Sequence, residues 1–173
     1  MEPLRRDHPR RARPLHPRDV QVSTGAREFQ VPEQVYLSLA GLGAAAKRGL
    51  GDPALAELVM VRASQLNHCA FCLDMHLTAA RKGGESQERL DLVAAWEEAG
   101  DAFTGRERAA LALTEAVTVL TDGFVPDEVY GRAAEHFTEA QLAHLIAAIA
   151  VINSWNRLMV TRRTAPGETE WHS

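Results

Sequence analysis

Two capping boxes constrain this chain more than any other feature of its sequence. Thr104-Gly105-Arg106-Glu107 and Thr138-Glu139-Ala140-Gln141 each place a hydroxyl residue three positions ahead of Glu or Gln, so that side chain and backbone satisfy each other's first-turn donors. From Val31 onward other helix signals repeat in the same sense, and no run of alternating β-branched residues competes with them. The expected fold class is all-α, with about seven helices. Pro32 opens a helix to about Arg48, stopped by Gly49 and Gly51, and Asp52 caps a second with Pro53 at its first position. That second helix, carrying Leu55, Leu58, Val59, Met60, Val61 and Leu66, is apolar on nearly every side. A third begins at Asn67 or His68 and ends at Arg81-Lys82 before Gly83-Gly84. A fourth starts at Ser86 and carries Leu90, Val93 and Trp96. The fifth runs from the first box to about Leu120, Pro126 opens the sixth, and the second box opens the last, which runs to Thr164-Ala165-Pro166-Gly167.

The 173 residues, 46% hydrophobic and 24% charged, suffice for one domain with a sizeable core. Residues 1–30 read as a flexible Arg/Pro-rich arm, 31–165 as one helical domain and 166–173 as a flexible end. The first twenty residues hold six Arg and three acids, so the remainder is more acidic than the net charge of −4 indicates. That balance gives no reason to expect nucleic acid or an anionic membrane as a partner. The most apolar stretch, Leu142 to Ile152, contains His144 and is followed by Asn153, Asn156 and Arg157, and it reads as a core helix too short and too polar for a bilayer span. Two cysteines make no disulfide scaffold and no apolar signal region follows Arg5-Arg6, so a reducing cytoplasm is the expected setting.

Those cysteines carry the chemistry. Cys69-Ala70-Phe71-Cys72 stands at the start of the third helix and His76 follows four residues later, so Cys69, Cys72 and His76 share one helical stripe. Unpaired N–H groups and the positive end of the dipole stabilise a thiolate there, lowering a thiol pKa from about 8.5. An imidazole can take the thiol proton, and the second cysteine can close a disulfide after oxidation. The dipole argument by itself favours Cys69, the nearer to the helix start.

Blander readings stand beside this one. The cysteines could be small core residues. Zinc could use Cys69, Cys72, His76 and His68, but four ligands so close together on a single helix cannot surround a tetrahedral ion. Glu57, followed directly by Leu58-Val59-Met60-Val61, either pairs with Arg62 or reaches His76 and the thiols across the helix pair, its pKa raised by burial, as part of a proton relay. Both readings of Glu57 fit the local pattern. His8, His16 and His172 fall in the expected flexible ends. His136 and His144 read as capping, packing or interface residues, His68 as a loop histidine beside Cys69, and Trp96 and Trp155 as core or interface anchors.

Glu57, eleven residues, Cys69-Ala70-Phe71-Cys72, three residues and His76 together resemble the core of the AhpD-like alkyl hydroperoxidases within the carboxymuconolactone decarboxylase superfamily. Leu58 to Asn67, Thr104 to Ala112 and Ile152 to Arg157 resemble the same group, and the likeness covers about residues 32–161. It implies an all-α fold, trimers or larger rings such as hexamers, and antioxidant peroxidase or thiol–disulfide chemistry with no metal or organic cofactor. It further implies Cys72 as the more exposed attacking thiolate, Cys69 as the resolving thiol, and Glu57 with His76 as the relay. One position departs from the best-studied branch, which has a second His where this chain has Phe71.

The expected partners are therefore a hydroperoxide substrate and a dithiol reductant, a lipoyl group or thioredoxin-like protein. Other readings are a non-catalytic redox-sensing or structural oligomer, and a decarboxylase or lactone enzyme on the same scaffold, whose activity would not depend on the cysteines.

Overall fold

A computed structural model describes residues 25–27 and 29–169. Most of the expected N-terminal arm, with His8 and His16, and the last four residues, with His172, lie outside the described residues. The described part contains seven α-helices and no β-strand: α1 (Glu33–Leu50), α2 (Pro53–Leu66), α3 (Ala70–Lys82), α4 (Gln87–Leu92), α5 (Gly105–Thr118), α6 (Asp127–His136) and α7 (Glu139–Arg162).

Both capping boxes form. Thr104 Oγ1 accepts from the Glu107 N–H while Glu107 returns to the Thr104 N–H, and Thr138 and Gln141 do the same for α7. Asp52 Oδ1 accepts from the Leu55 N–H at 3.0 Å, with Pro53 at the first position of α2. Each such cap stabilises its helix by about 1 kcal/mol. Gly51, at φ 72°, supplies the left-handed residue that closes α1.

The core explains why α2 is apolar all round. Its Leu55, Ala56 and Val59 join one buried cluster with α5, α6 and α7. Met60 and Ala63 join a second with Cys69, Cys72, Ile152 and Met159, and Leu58 and Val61 a third with Leu90, Val93, Trp96 and Leu111. A helix facing three clusters has almost no solvent side, and each fully buried Leu or Val contributes about 1.5–3 kcal/mol. α7 is the second axis, packing against α1, α2, α3, α5 and α6. It approaches α1 closely, because Gly49 has no Cβ to meet the His144 imidazole.

Three details differ from expectation. The fourth helix ends at Leu92: the backbone leaves helical angles at Ala95 and continues as 3₁₀ turns over 93–98 and 100–102, which brings the Trp96 N–H to Glu115 Oε1 at 2.6 Å. The last helix is longer than its most apolar stretch. With 24 residues, and a mean hydropathy of 1.2 over its most apolar 18, it is long and apolar enough by length and composition to cross a membrane. Its buried Leu142, Leu145, Ile149, Ile152 and Met159 nevertheless face the other helices, and buried Asn153, Asn156 and Arg162 find protein partners, so it serves as a core helix. Finally, the described residues before α1 are tied to the C-terminal end of α7. Arg27 N–H donates to Arg162 O at 2.8 Å, Arg162 Nε donates to Phe29 O at 3.0 Å, and Arg162 pairs with Glu168 at 2.5 Å.

Candidate functional site

The site begins at the joint between α2 and α3. The Cys69 N–H donates to Ser64 O at 3.0 Å and the His68 N–H to Gln65 O at 3.1 Å, the paired bonds of a Schellman helix ending. His68 takes the left-handed position at φ 52°, where glycine is usual. Asn67 and His68 thus close α2 rather than open α3, which starts at Ala70 with Cys69 as its N-cap. Cys69 Sγ accepts from the Cys72 N–H at 3.5 Å, the role a Ser or Asp oxygen ordinarily fills.

Both cysteines are free and buried, Cys69 2% and Cys72 1% exposed. The expectation that Cys72 is the more exposed thiol is therefore corrected: packing among Met60, Phe71, Ile152 and Met159 shields both. Their ionisation differs sharply. A hydrogen bond from the Cys72 thiol outweighs burial at Cys69 and, with the Cys72 and Phe71 N–H groups and the Asn156 side chain, brings its pKa down to about 7. The same shared hydrogen bond, burial and the Cys69 charge hold the Cys72 thiol far above its ordinary value. Of the two sulfurs, the one at the helix start is the more acidic, as the dipole argument favours.

Glu57 lies on α2 beneath this joint. Its Oε2 is 2.7 Å from His76 Nδ1 and its Oε1 is 2.5 Å from Lys47 Nζ on α1. Arg62 instead pairs with Glu115 at 2.8 Å, so the Glu57–Arg62 reading is not the one adopted. Burial pushes the Glu57 carboxyl up, but hydrogen bonds and charges from His76 and Lys47 outweigh it and hold the group below the usual carboxylate range. The expected upward shift is corrected accordingly. An ionised carboxylate only accepts, so His76 carries a proton on Nδ1 and turns Nε2 away from Glu57. His76 follows Cys72 by one helical turn, a spacing of roughly 5–6 Å between side-chain bases.

A buried amide network lies on the other side of the sulfurs. Asn156 of α7 is fully buried, and its Nδ2 donates to Ser64 Oγ at 3.2 Å. Asn67 Nδ2 donates to Asn156 Oδ1 at 3.0 Å and to Asn153 Oδ1 at 2.8 Å. Lys47 and Asn156 are the site residues that sequence reasoning missed. The Asn153–Asn156 motif was the available signal for the latter, whereas Lys47 carries no local signal.

His76 and Lys47 line a cavity of about 290 Å³ with Met60, Met75, Ile152 and Trp155. Across Met75, a second space of about 590 Å³ is bounded by Tyr36, Phe71, Asp74 and Lys82. No group of three or more His, Cys, Asp or Glu side chains suited to a metal ion occurs among the described residues. His68 is exposed, His136 closes α6 and His144 packs on Gly49. Trp96 is buried against α5, and Trp155 meets Tyr36 edge-on at 5.8 Å.

The fold and site define an all-α protein with a dithiol at a helix start and a carboxylate–imidazole pair one turn further on. Residues 33–116 match the carboxymuconolactone decarboxylase family, and the chain belongs to that family. It is 46% identical over 104 residues to the uncharacterized protein YdfG of Bacillus subtilis, covering 60% of this chain and 70% of that one. It is 35% identical over 107 residues to the uncharacterized protein YnjA of Escherichia coli, covering 62% and 58%. A crystal structure from Agrobacterium tumefaciens, of the protein of unknown function ATU0492 provisionally assigned to antioxidant defence as AhpD, superposes with a TM-score of 0.74. Identity there is 29%, over 79% of this chain and 92% of that one.

Proposed function

We propose that this protein is an enzyme, a thiol-dependent peroxidase that reduces hydroperoxides through Cys69 and Cys72 with Glu57 and His76 relaying protons. The observation that carries this reading is a buried dithiol at a helix start, Cys69 Sγ accepting from the Cys72 N–H, one turn before a His76 whose Nδ1 meets Glu57 at 2.7 Å. Family membership and the likeness to an AhpD-assigned structure support the same chemistry.

In this cycle the thiolate of Cys69 attacks the terminal oxygen of the hydroperoxide and the O–O bond breaks. His76 supplies a proton to the departing alkoxide, which leaves as an alcohol. The Cys72 thiol then displaces hydroxide from the sulfenic acid of Cys69, giving the Cys69–Cys72 disulfide and, with the thiol proton, water. A dithiol, lipoyl or on a thioredoxin-like protein, returns both electrons by exchange. This order reverses the one implied by the resemblance, because Cys69 is the N-cap of α3 and its thiol is the more acidic of the two. The cavity bordered by His76 and Lys47 is the route of entry.

A homo-oligomer, trimer or hexamer, belongs to the same proposal, supported by exposed Val35, Leu37 and Leu42 on α1. The test is peroxide consumption with dithiol in excess. Repeated turnover by the intact protein, lost in both Cys69→Ser and Cys72→Ser, is the expected result. Disulfide formation that stops after one equivalent, or activity that survives loss of both cysteines, overturns the reading.

A further inference from the structure

α1 lies close along α7 on either side of Lys47. A Cβ added at Gly43, one turn earlier, would lie 3.3 Å from Val151 Cγ1, and one added at Gly49 would run into the His144 imidazole. Ala46 and Leu50 are buried as well. The backbone that carries Lys47 is therefore fixed, and the side chain's own torsions decide where its ammonium goes. It turns inward. Nζ lies 2.5 Å from Glu57 Oε1, and the side chain, 34% exposed, joins His76, Met60, Met75, Ile152 and Trp155 in lining one cavity.

Glu57 needs this partner for geometry as well as for charge. The last torsion of a glutamate is broad, so rotamer preference does not set the plane of its carboxylate. Among the described residues two hydrogen bonds hold that group, from His76 Nδ1 to Oε2 at 2.7 Å and from Lys47 Nζ to Oε1 at 2.5 Å. One bond alone lets the carboxylate turn about the contact, and a second at the other oxygen stops the rotation. A carboxylate held in this way accepts the Nδ1 proton, which leaves Nε2 to take a proton and pass it on. An imidazole without such a partner favours the opposite tautomer, with its proton on Nε2. A base in the wrong tautomer loses most of its use.

We infer that Lys47 is a positioning residue of the relay: by holding Oε1 it keeps Glu57 Oε2 on His76 Nδ1, and so decides which ring nitrogen carries the proton. The use of that tautomer in proton transfer rests on the peroxidase reading, whereas the tautomer itself is a property of the protein with no peroxide present. Lys47 has one competing role, because an ammonium has three donors and a ligand in the cavity would meet those that Glu57 does not take. The two roles differ in one respect. A positioning residue acts only through Glu57, and a ligand contact does not need the carboxylate.

The test reads the ring ¹⁵N shifts of His76 in the reduced full chain at about pH 8, above the ordinary histidine range, with helicity and unfolding midpoint recorded for each variant. Wild type shows the proton on Nδ1; a wild-type ring with its proton on Nε2 overturns the inference outright. Lys47→Met keeps the aliphatic stem and removes the donor, and it moves the signals toward the Nε2-protonated form. With peroxide and excess dithiol its kcat falls about tenfold while KM stays within about twofold. Lys47→Ala makes the same removal with a strong helix former if Lys47→Met does not fold. In the Glu57→Gln background the substitution at Lys47 changes neither the His76 signals nor kcat any further. An ion pair that only holds helices together would lower the unfolding midpoint and leave the proton on Nδ1, and that result in a folded variant overturns the inference. So does a loss that persists in full in the Glu57→Gln background, which makes Lys47 a ligand contact. Peroxide turnover is read separately: a tautomer shift in a protein that never turns over peroxide keeps the role of Lys47 and removes the peroxidase reading. Turnover by wild type together with an unmoved tautomer in Lys47→Met removes the inference and keeps that reading.

Discussion

Glu57 and His76, nineteen residues apart and on different helices, meet at 2.7 Å through Oε2 and Nδ1. Lys47 takes the other carboxylate oxygen, so both ends of the acid are engaged by donors from α1 and α3. The pair orients the His76 ring, its Nδ1 turned to the carboxylate.

Replacing Glu57 by Gln keeps the shape and removes the charge, leaving Lys47 and His76 without their anion. Stability at pH 6 drops by about 1–3 kcal/mol, and peroxide turnover drops with it. The sign of the pH dependence follows from the lowered folded-state pKa. The contribution is present above the ordinary carboxylate value of about 4.3 and is lost as pH falls through the lower folded value. Urea unfolding at pH 6 and pH 3 therefore separates wild type from Glu57→Gln in the first case and narrows the gap between them in the second.

The two thiols predict a maximum in the stability of the reduced protein. Cys69 ionises at about 7 when folded, below the ordinary value of about 8.5, so stability rises as pH increases between them. Cys72 keeps its proton when folded, so above about 8.5 only the unfolded chain loses that proton and stability falls again. Unfolding free energies of the reduced wild type, referred to Cys69→Ser/Cys72→Ser at each pH, pass through this maximum. A flat difference would show that the sulfurs do not share the hydrogen bond.

His68 in the left-handed region is a position where a Cβ, and above all a branched one, is strained. His68→Gly unfolds at higher denaturant than His68→Val, by about 1–2 kcal/mol. Because the turn aims Cys69 at the start of α3, the Val variant also slows alkylation of the reduced thiols, measured at pH 7.

Gly49 marks a close approach of α1 and α7, where an added Cβ would run into the His144 imidazole. Gly49→Ala destabilises by about 1–3 kcal/mol through overpacking. In the His144→Ala background the same change costs little. Equal losses in both backgrounds would place the effect in the backbone rather than in the contact.

The fold was legible where polar punctuation is local. Asp52-Pro53, Thr104 with Glu107 and Thr138 with Gln141 mark helix starts by bonds within one turn, and each starts its helix in the structure. The start of α3 was misread because a Schellman ending with His in the left-handed place, and a cysteine as N-cap, carry none of the usual residue signals. The break at Ala95 depends on Trp96 reaching Glu115, a contact across elements that no local pattern contains. In the site, the helical stripe and spacing put Cys69, Cys72, His76 and Glu57 within view. Lys47 and Asn156 join them only when α1 and α7 are laid against α2, and the downward shift of Glu57 follows from His76 and Lys47 together.

Cys69 ends one helix and caps the next, and it does the second task best while it is an anion. Joining it to Cys72 erases that charge from the positive pole of α3, which favours a nearby anion by about 0.3–1 kcal/mol. The reduced couple is thereby stabilised over the oxidised one, so its midpoint potential lies above that of an unconstrained dithiol, as for other oxidising Cys-x-x-Cys centres with an acidic thiol. Under the proposed peroxidase reading, electrons from an unconstrained external dithiol run downhill into this centre, a direction to which the helix start contributes.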